Sequence, residues 1–135
     1  MVWQPDNHHG AGLVNAHGAL SWNELATPDM AGSTTFYSDL FGWEIKPMEG
    51  MGMEYSMISN AGHSNGGIHP AMPPGTPPHW LAYFGTDDID ASVAKVAELG
   101  GTALSGVMDI GVGKIAPIQD PQGAVFALYS GQFED

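Results

Sequence analysis

The 135-residue chain has no cysteine and no arginine, and Lys46, Lys95 and Lys114 are its only fixed cations. Without cysteine there can be no disulfide framework, no thiolate nucleophile and no zinc–thiolate site. Without arginine there is no bidentate clamp for phosphate or carboxylate, which disfavours anionic substrates. Three lysines cannot displace enough counterions to hold a nucleic acid, and a formal net charge of −12 is repelled by anionic lipid, so neither nucleic acid nor membrane is an expected partner. No apolar run reaches the length that spans a bilayer. Met1 to Gly10 lacks the basic start and apolar stretch of a signal peptide, and a cytoplasmic location is expected.

Hydrophobic residues make up 43% of the chain against 13% charged, enough apolar surface to close a core in a single domain of this length. The 15 acids set up a field that concentrates cations, so a cationic small molecule or a metal ion is the partner that composition favours.

The sequence repeats at an offset of 59: Asp29, Ser33, Leu40 and Gly42 fall on Asp88, Ser92, Leu99 and Gly101 without a gap. In each copy a strand-like run (Ser21 to Ala26; Trp80 to Phe84) precedes a Thr and an acid able to cap a helix. The second helix shows its apolar face as Ile89, Val93, Val96 and Leu99, and Gly100-Gly101 supplies its stop. The first carries Met30, Phe36, Tyr37, Leu40 and Phe41 but also poor helix formers, so packing must hold it, and Gly42 ends it. Three short strands follow each helix: Trp43 to Met48, Met53 to Ser59 and Gly66 to Pro70, then Thr102 to Met108, Lys114 to Gln119 and Ala124 to Tyr129. The expected fold class is therefore α+β, with two βαβββ modules (19–70 and 78–129) joined by the stiff bridge Met72 to Pro78. Residues 1–18 read as a leader or arm before a single domain over 19–135.

The order and spacing of Asn23-Glu-Leu-Ala-Thr-Pro-Asp29, Phe36-Tyr37, Phe41-Gly42-Trp43, Val93 to Gly101 and Asp120-Pro-Gln-Gly-Ala-Val-Phe-Ala-Leu128 resembles the vicinal oxygen chelate superfamily, over Ala19 to Tyr129. That superfamily includes glyoxalase I, extradiol dioxygenases, and fosfomycin- and bleomycin-resistance proteins. The resemblance implies a U-shaped mixed sheet with the helices on its outer face. Catalytic members bind a divalent metal through one residue from the first and one from the last strand of each module. Carried onto this chain, those positions fall on Trp22, Ile68, Leu81 and Ala127, none of which offers a metal donor. No cofactor is expected on this reading. The alternative is a divalent metal ion on His69, His79 and Glu24; bringing His69 in place of Ile68 needs a one-residue register slip, which flips every side chain of the strand, so His69 is not expected to join while its neighbours keep their burial.

Strand alternation places Trp22, Glu24, His79, Leu81, Tyr83, Val125 and Ala127 on one face, with Ile68 added by the repeat offset, as the lining of a ligand cleft. Trp22 with Glu24 suits a flat, positively charged ligand; the structural alternative is that Trp22 and Tyr83 fill the core and Glu24 bonds a neighbouring strand. Met48 to Met53 adds three thioethers on a glycine-rich turn, either a deformable lid or ordinary core. His8, His9, His17 and His63 read as surface residues.

Glu24 as a general base would have only His79 and Tyr83 as partners, and the chain has no glycine-flanked serine elbow and no phosphate loop. The resulting expectation is a metal-free, small-molecule-binding protein of the glyoxalase/bleomycin-resistance type, its ligand cationic or aromatic. The alternative is a metal-dependent lyase, isomerase or dioxygenase of the same superfamily. Val2 to Pro5 resembles the end of a final strand and Gly10 to Asn15 a linker, as in one half of a four-module relative, which implies a homodimer.

Overall fold

Each repeat begins with the same local device. Asp29 and Asp88 accept hydrogen bonds from Gly32 N–H and Ala91 N–H, each at 2.9 Å, and so cap α1 (Met30–Phe41) and α2 (Ile89–Glu98). Two residues earlier, Thr27 and Thr86 bond Ser33 and Ser92 at 2.9 and 2.6 Å, which ties each preceding strand to the first turn of its helix. Gly42 ends α1 in the left-handed region at φ 71°, where a Cβ would be strained. In this computed structural model residues 1–133 are described, so Glu134 and Asp135, the end of the expected domain, lie outside the described residues.

Around the helices run β1 (Leu20–Thr27), β2 (Glu44–Pro47), β3 (Ser56–Asn60), β4 (His63–Pro70), β5 (His79–Gly85), β6 (Thr102–Ala103), β7 (Met108–Asp109), β8 (Gly113–Gln119) and β9 (Val125–Gly131). They form one open, curled sheet in the order β2-β3-β4-β1-β5-β9-β8-β6, with β7 also paired to β8. β1 is parallel to β4, β5 is parallel to β9, and the two modules meet where β1 runs antiparallel to β5. The α+β architecture expected from the repeat is thus present. One strand differs: Thr102 to Met108 is not continuous but splits into β6 and β7, which bond different parts of β8. Ser105 and Gly106 lie at the break, and neither favours an extended, half-buried backbone.

Both cores lie between the helices and one face of the sheet. Leu25, Ile58 and Ile68 pack beneath Met30 and Tyr37 of α1 with Trp43 and Ile45. Ile89, Ala116, Ile118 and Leu128 pack with Val93, Val96, Val107 and Phe126 in the second module. Leu99, expected on the apolar face of α2, instead sits at its C-cap and is 68% exposed. No residue of α1 is fully buried. Its inner side is held by ring contacts instead: Tyr37 stacks on Trp43 at 5.8 Å and accepts a hydrogen bond from Trp80 Nε1–H at 3.0 Å.

The repeat offset is not constant. Glu24 pairs with Gly67 across β1–β4, while Tyr83, its counterpart at offset 59, pairs with Ala127 across β5–β9. Gly67 therefore corresponds to Ala127, and the last strands are related by 60 rather than 59. The end of the leader is tied to the sheet: Gly18 N–H donates to Gly85 O at 2.9 Å, and His17 lies 3.6 Å from Asp87. Among the described residues no helix is long and apolar enough to cross a membrane.

Candidate functional site

Along β1 the side chains alternate, so Leu25 enters the core under α1 while Trp22 and Glu24 emerge on the inner face, away from the helices. Tyr83 of β5 lies opposite Trp22, and Leu81 opposite Glu24. On the other side Gly67 of β4 faces Glu24, and Met57 of β3 faces Gly67. Tyr55, just before β3, reaches back over Gly67. A Cβ at Gly67 would overlap the Tyr55 phenol, so glycine here is what lets the ring cross the strand.

The groups that meet form a directed chain. Trp22 Nε1–H donates to Tyr55 Oη at 3.2 Å, and Tyr55 O–H donates to Glu24 Oε1 at 2.8 Å. Tyr83 O–H donates to Glu24 Oε2 at 2.5 Å, and His69 Nε2 lies 3.7 Å from the same oxygen. The Glu24 side chain retains 15% exposure and that of His69 20%. Burial, then the adjacent Glu24 charge, push both phenols well above the ordinary tyrosine value of 10.0. Both therefore stay protonated, as donors to the carboxylate must.

Trp22, Glu24 and Tyr83 come together as the alternation implies, with Leu81 alongside and Ala127 paired to Tyr83 and fully buried. Val125 opens β9 and is 47% exposed. Ile68 is corrected: it packs with Leu25 and Ile58 on the helix side of the sheet, completely buried. The cause is the offset of 60 in the last strands, which turns Ile68 outward and His69 inward. His69 thus joins Glu24 with its neighbours' burial intact, contrary to the expectation that a one-residue slip would forbid it. His79 is exposed and its Nδ1 shares a hydrogen with Pro77 O at 2.8 Å.

The set His69, His79 and Glu24 does not assemble, and among the described residues no group of three or more His, Cys, Asp or Glu is arranged to hold a metal. Glu24 and His69 supply two donors, short of the three protein ligands that a catalytic zinc site draws on. The pair does not by itself make up a zinc-type site of three protein ligands.

Tyr55 and His69 are the members of the cluster that strand alternation did not reach. The signal for Tyr55 was the Gly66-Gly67 pair inside a strand, which marks a close approach of other atoms. The methionines of the turn before Tyr55 are exposed, Met48 at 38%, Met51 at 42% and Met53 at 47%, rather than core. Lys46 bonds Glu44 at 2.7 Å and Lys114 lies 3.6 Å from Asp90, so these two lysines are engaged away from Glu24. Two cavities lie elsewhere. One of about 610 Å³ adjoins the start of α2 between Asp87, Asp90, Asp109 and Lys114, and one of about 480 Å³ adjoins α1 beside Thr27, Phe36, Tyr37 and Pro78.

A family model described as the Glyoxalase/Bleomycin resistance protein/Dioxygenase superfamily matches residues 19–128. "Putative glyoxylase CFP32" of Mycobacterium tuberculosis is 41% identical over 131 residues, covering 94% of this chain and 49% of that protein. "Anthracycline biosynthesis protein DnrV" of Streptomyces peucetius is 35% identical over 130 residues, covering 84% of this chain and 47% of that one. The chain spans about half the length of these curated relatives. Among solved structures, the methylmalonyl-CoA epimerase of Mycobacterium tuberculosis superposes with a TM-score of 0.59 at 15% identity, over 84% of this chain and 87% of the epimerase. The protein BH1468 of Bacillus halodurans superposes at 0.62 with 10% identity, over 86% and 96%. At these identities the structures share the fold.

Proposed function

The chain belongs to the glyoxalase/bleomycin resistance protein/dioxygenase superfamily, and on that premise we propose that it binds a small cationic, aromatic molecule on the inner face of its sheet without metal. The observation that carries this reading is a carboxylate, Glu24, held by two phenols beside an indole. A carboxylate offers about four lone-pair sites, and the two phenols take two, so a ligand N–H or a diffuse cationic charge can take the remainder. The Trp22 ring supplies the face on which a flat cation rests. Relatives named for anthracycline biosynthesis support an aromatic ligand.

A metal-dependent reaction is the weaker reading, because His79 bonds Pro77 O and among the described residues no three His, Cys, Asp or Glu side chains are grouped to hold a metal. The test is a titration of the purified protein with N-methylquinolinium and with its neutral isostere 1-methylnaphthalene, followed by tryptophan fluorescence. The proposal expects saturable binding with preference for the cation; equal affinity for both would overturn it.

We further propose a cytoplasmic homodimer, in which the exposed Val2 and Trp3 pack on a second copy. Sedimentation at twice the 14.2 kDa chain mass supports the dimer, and sedimentation at that mass contradicts it.

A further inference from the structure

We infer that Tyr55, admitted by Gly67, is the positioning residue that locks Trp22 and Glu24 into a single ligand-holding unit. The inference rests on the cation-binding reading and goes beyond it, because Tyr55 acts through the two side chains that would touch the ligand.

An indole and a carboxylate two residues apart on a strand share a face, but each turns independently about its own side-chain torsions. Tyr55 removes that independence. Its hydroxyl accepts from Trp22 Nε1–H and donates to Glu24 Oε1, so one oxygen fixes both groups at 3.2 and 2.8 Å. The direction of the chain is forced, because the indole can only donate and the carboxylate can only accept. Tyr83 holds the other Glu24 oxygen but has no bond to the indole, so it cannot do the same. Tyr55 can reach this position only because Gly67 presents no Cβ beneath its ring. The corresponding position in the second module is Ala127, and there Leu81 and Tyr83 stand in place of Trp22 and Glu24, so the second module does not repeat the unit. Tyr55 is also the foot of the methionine turn, its carbonyl accepting from Met48 N–H at 2.9 Å, so the same residue couples that turn to the anchor.

A merely space-filling Tyr55 would be replaced by phenylalanine without consequence for Trp22, and this separates the two roles. In nitrogen-15 spectra the Trp22 indole resonance is identified by its loss in Trp22→Phe. In Tyr55→Phe that resonance should move upfield and its hydrogen should exchange faster, while Tyr83→Phe should leave it in place. Affinity for N-methylquinolinium should fall about tenfold in Tyr55→Phe, the weight of a hydrogen bond to a charged group. Gly67→Ala, which displaces the phenol but keeps the hydroxyl, should reproduce the indole change. An unmoved Trp22 resonance in Tyr55→Phe overturns the positioning role. So does equal loss of cation and 1-methylnaphthalene binding together with a lowered melting temperature. A wild-type protein that does not prefer the cation overturns the proposed function instead, while the indole resonance still decides whether Tyr55 locks Trp22.

Discussion

At the scale of single residues, the site depends on two phenols whose ionisation burial and the Glu24 charge oppose. Burial and the Glu24 charge raise both Tyr55 and Tyr83 above 10.0. In the unfolded chain the same groups lose their protons near pH 10, so below that pH their contribution to stability is complete. As pH rises further the unfolded state sheds protons that the folded state retains, and stability falls. Ultraviolet titration of the wild type against Tyr55→Phe and Tyr83→Phe should show Tyr55 and Tyr83 resisting ionisation until the fold opens; ordinary titration of these two would refute the buried network. Tyr83→Phe should cost about 1–3 kcal/mol, since it leaves a half-buried carboxylate oxygen short of a donor. Trp22, Glu24 and Tyr83 were legible in the sequence because period-two alternation alone sets the face of a strand residue. Tyr55 and His69 were not, because their approach depends on a missing Cβ and on the register of a second strand.

At the scale of elements, the helices and their caps were written in the sequence. Thr–x–Asp before an apolar periodicity and glycine after it mark both starts and stops, and the structure has both. Asp88→Ala should destabilise the protein by about 1 kcal/mol through loss of the α2 cap, measured by urea unfolding. Strand correspondence was less legible. A gapless repeat over the first strand and helix carries no information on loop lengths beyond them, and one added residue is enough to turn Ile68 from the inner face into the core. Ile68→Ala therefore tests which face it occupies. Complete burial against Leu25 and Ile58 predicts a loss of about 2–5 kcal/mol, whereas an open-cleft position predicts little. The broken strand at β6 and β7 shows the same limit, since apolar composition does not reveal where two short segments change partners along β8.

At the scale of the whole molecule, the shortage of basic residues has acquired a definite meaning at the site. Lys46 and Lys114 lie beside Glu44 and Asp90, which leaves Glu24 facing its phenols and a histidine that is charged only when protonated. With a net charge of −12 the surrounding field attracts cations, and binding of a cationic ligand should weaken as salt shortens the screening length to about 8 Å at physiological strength. The most direct test of the account compares N-methylquinolinium and 1-methylnaphthalene binding in the wild type and in Glu24→Gln, which keeps the shape of the side chain and removes its charge. The account predicts that the preference for the cation, about tenfold or more if the carboxylate contacts it, disappears in Glu24→Gln while the fold and the neutral compound's affinity are retained. An unchanged preference in Glu24→Gln would contradict it.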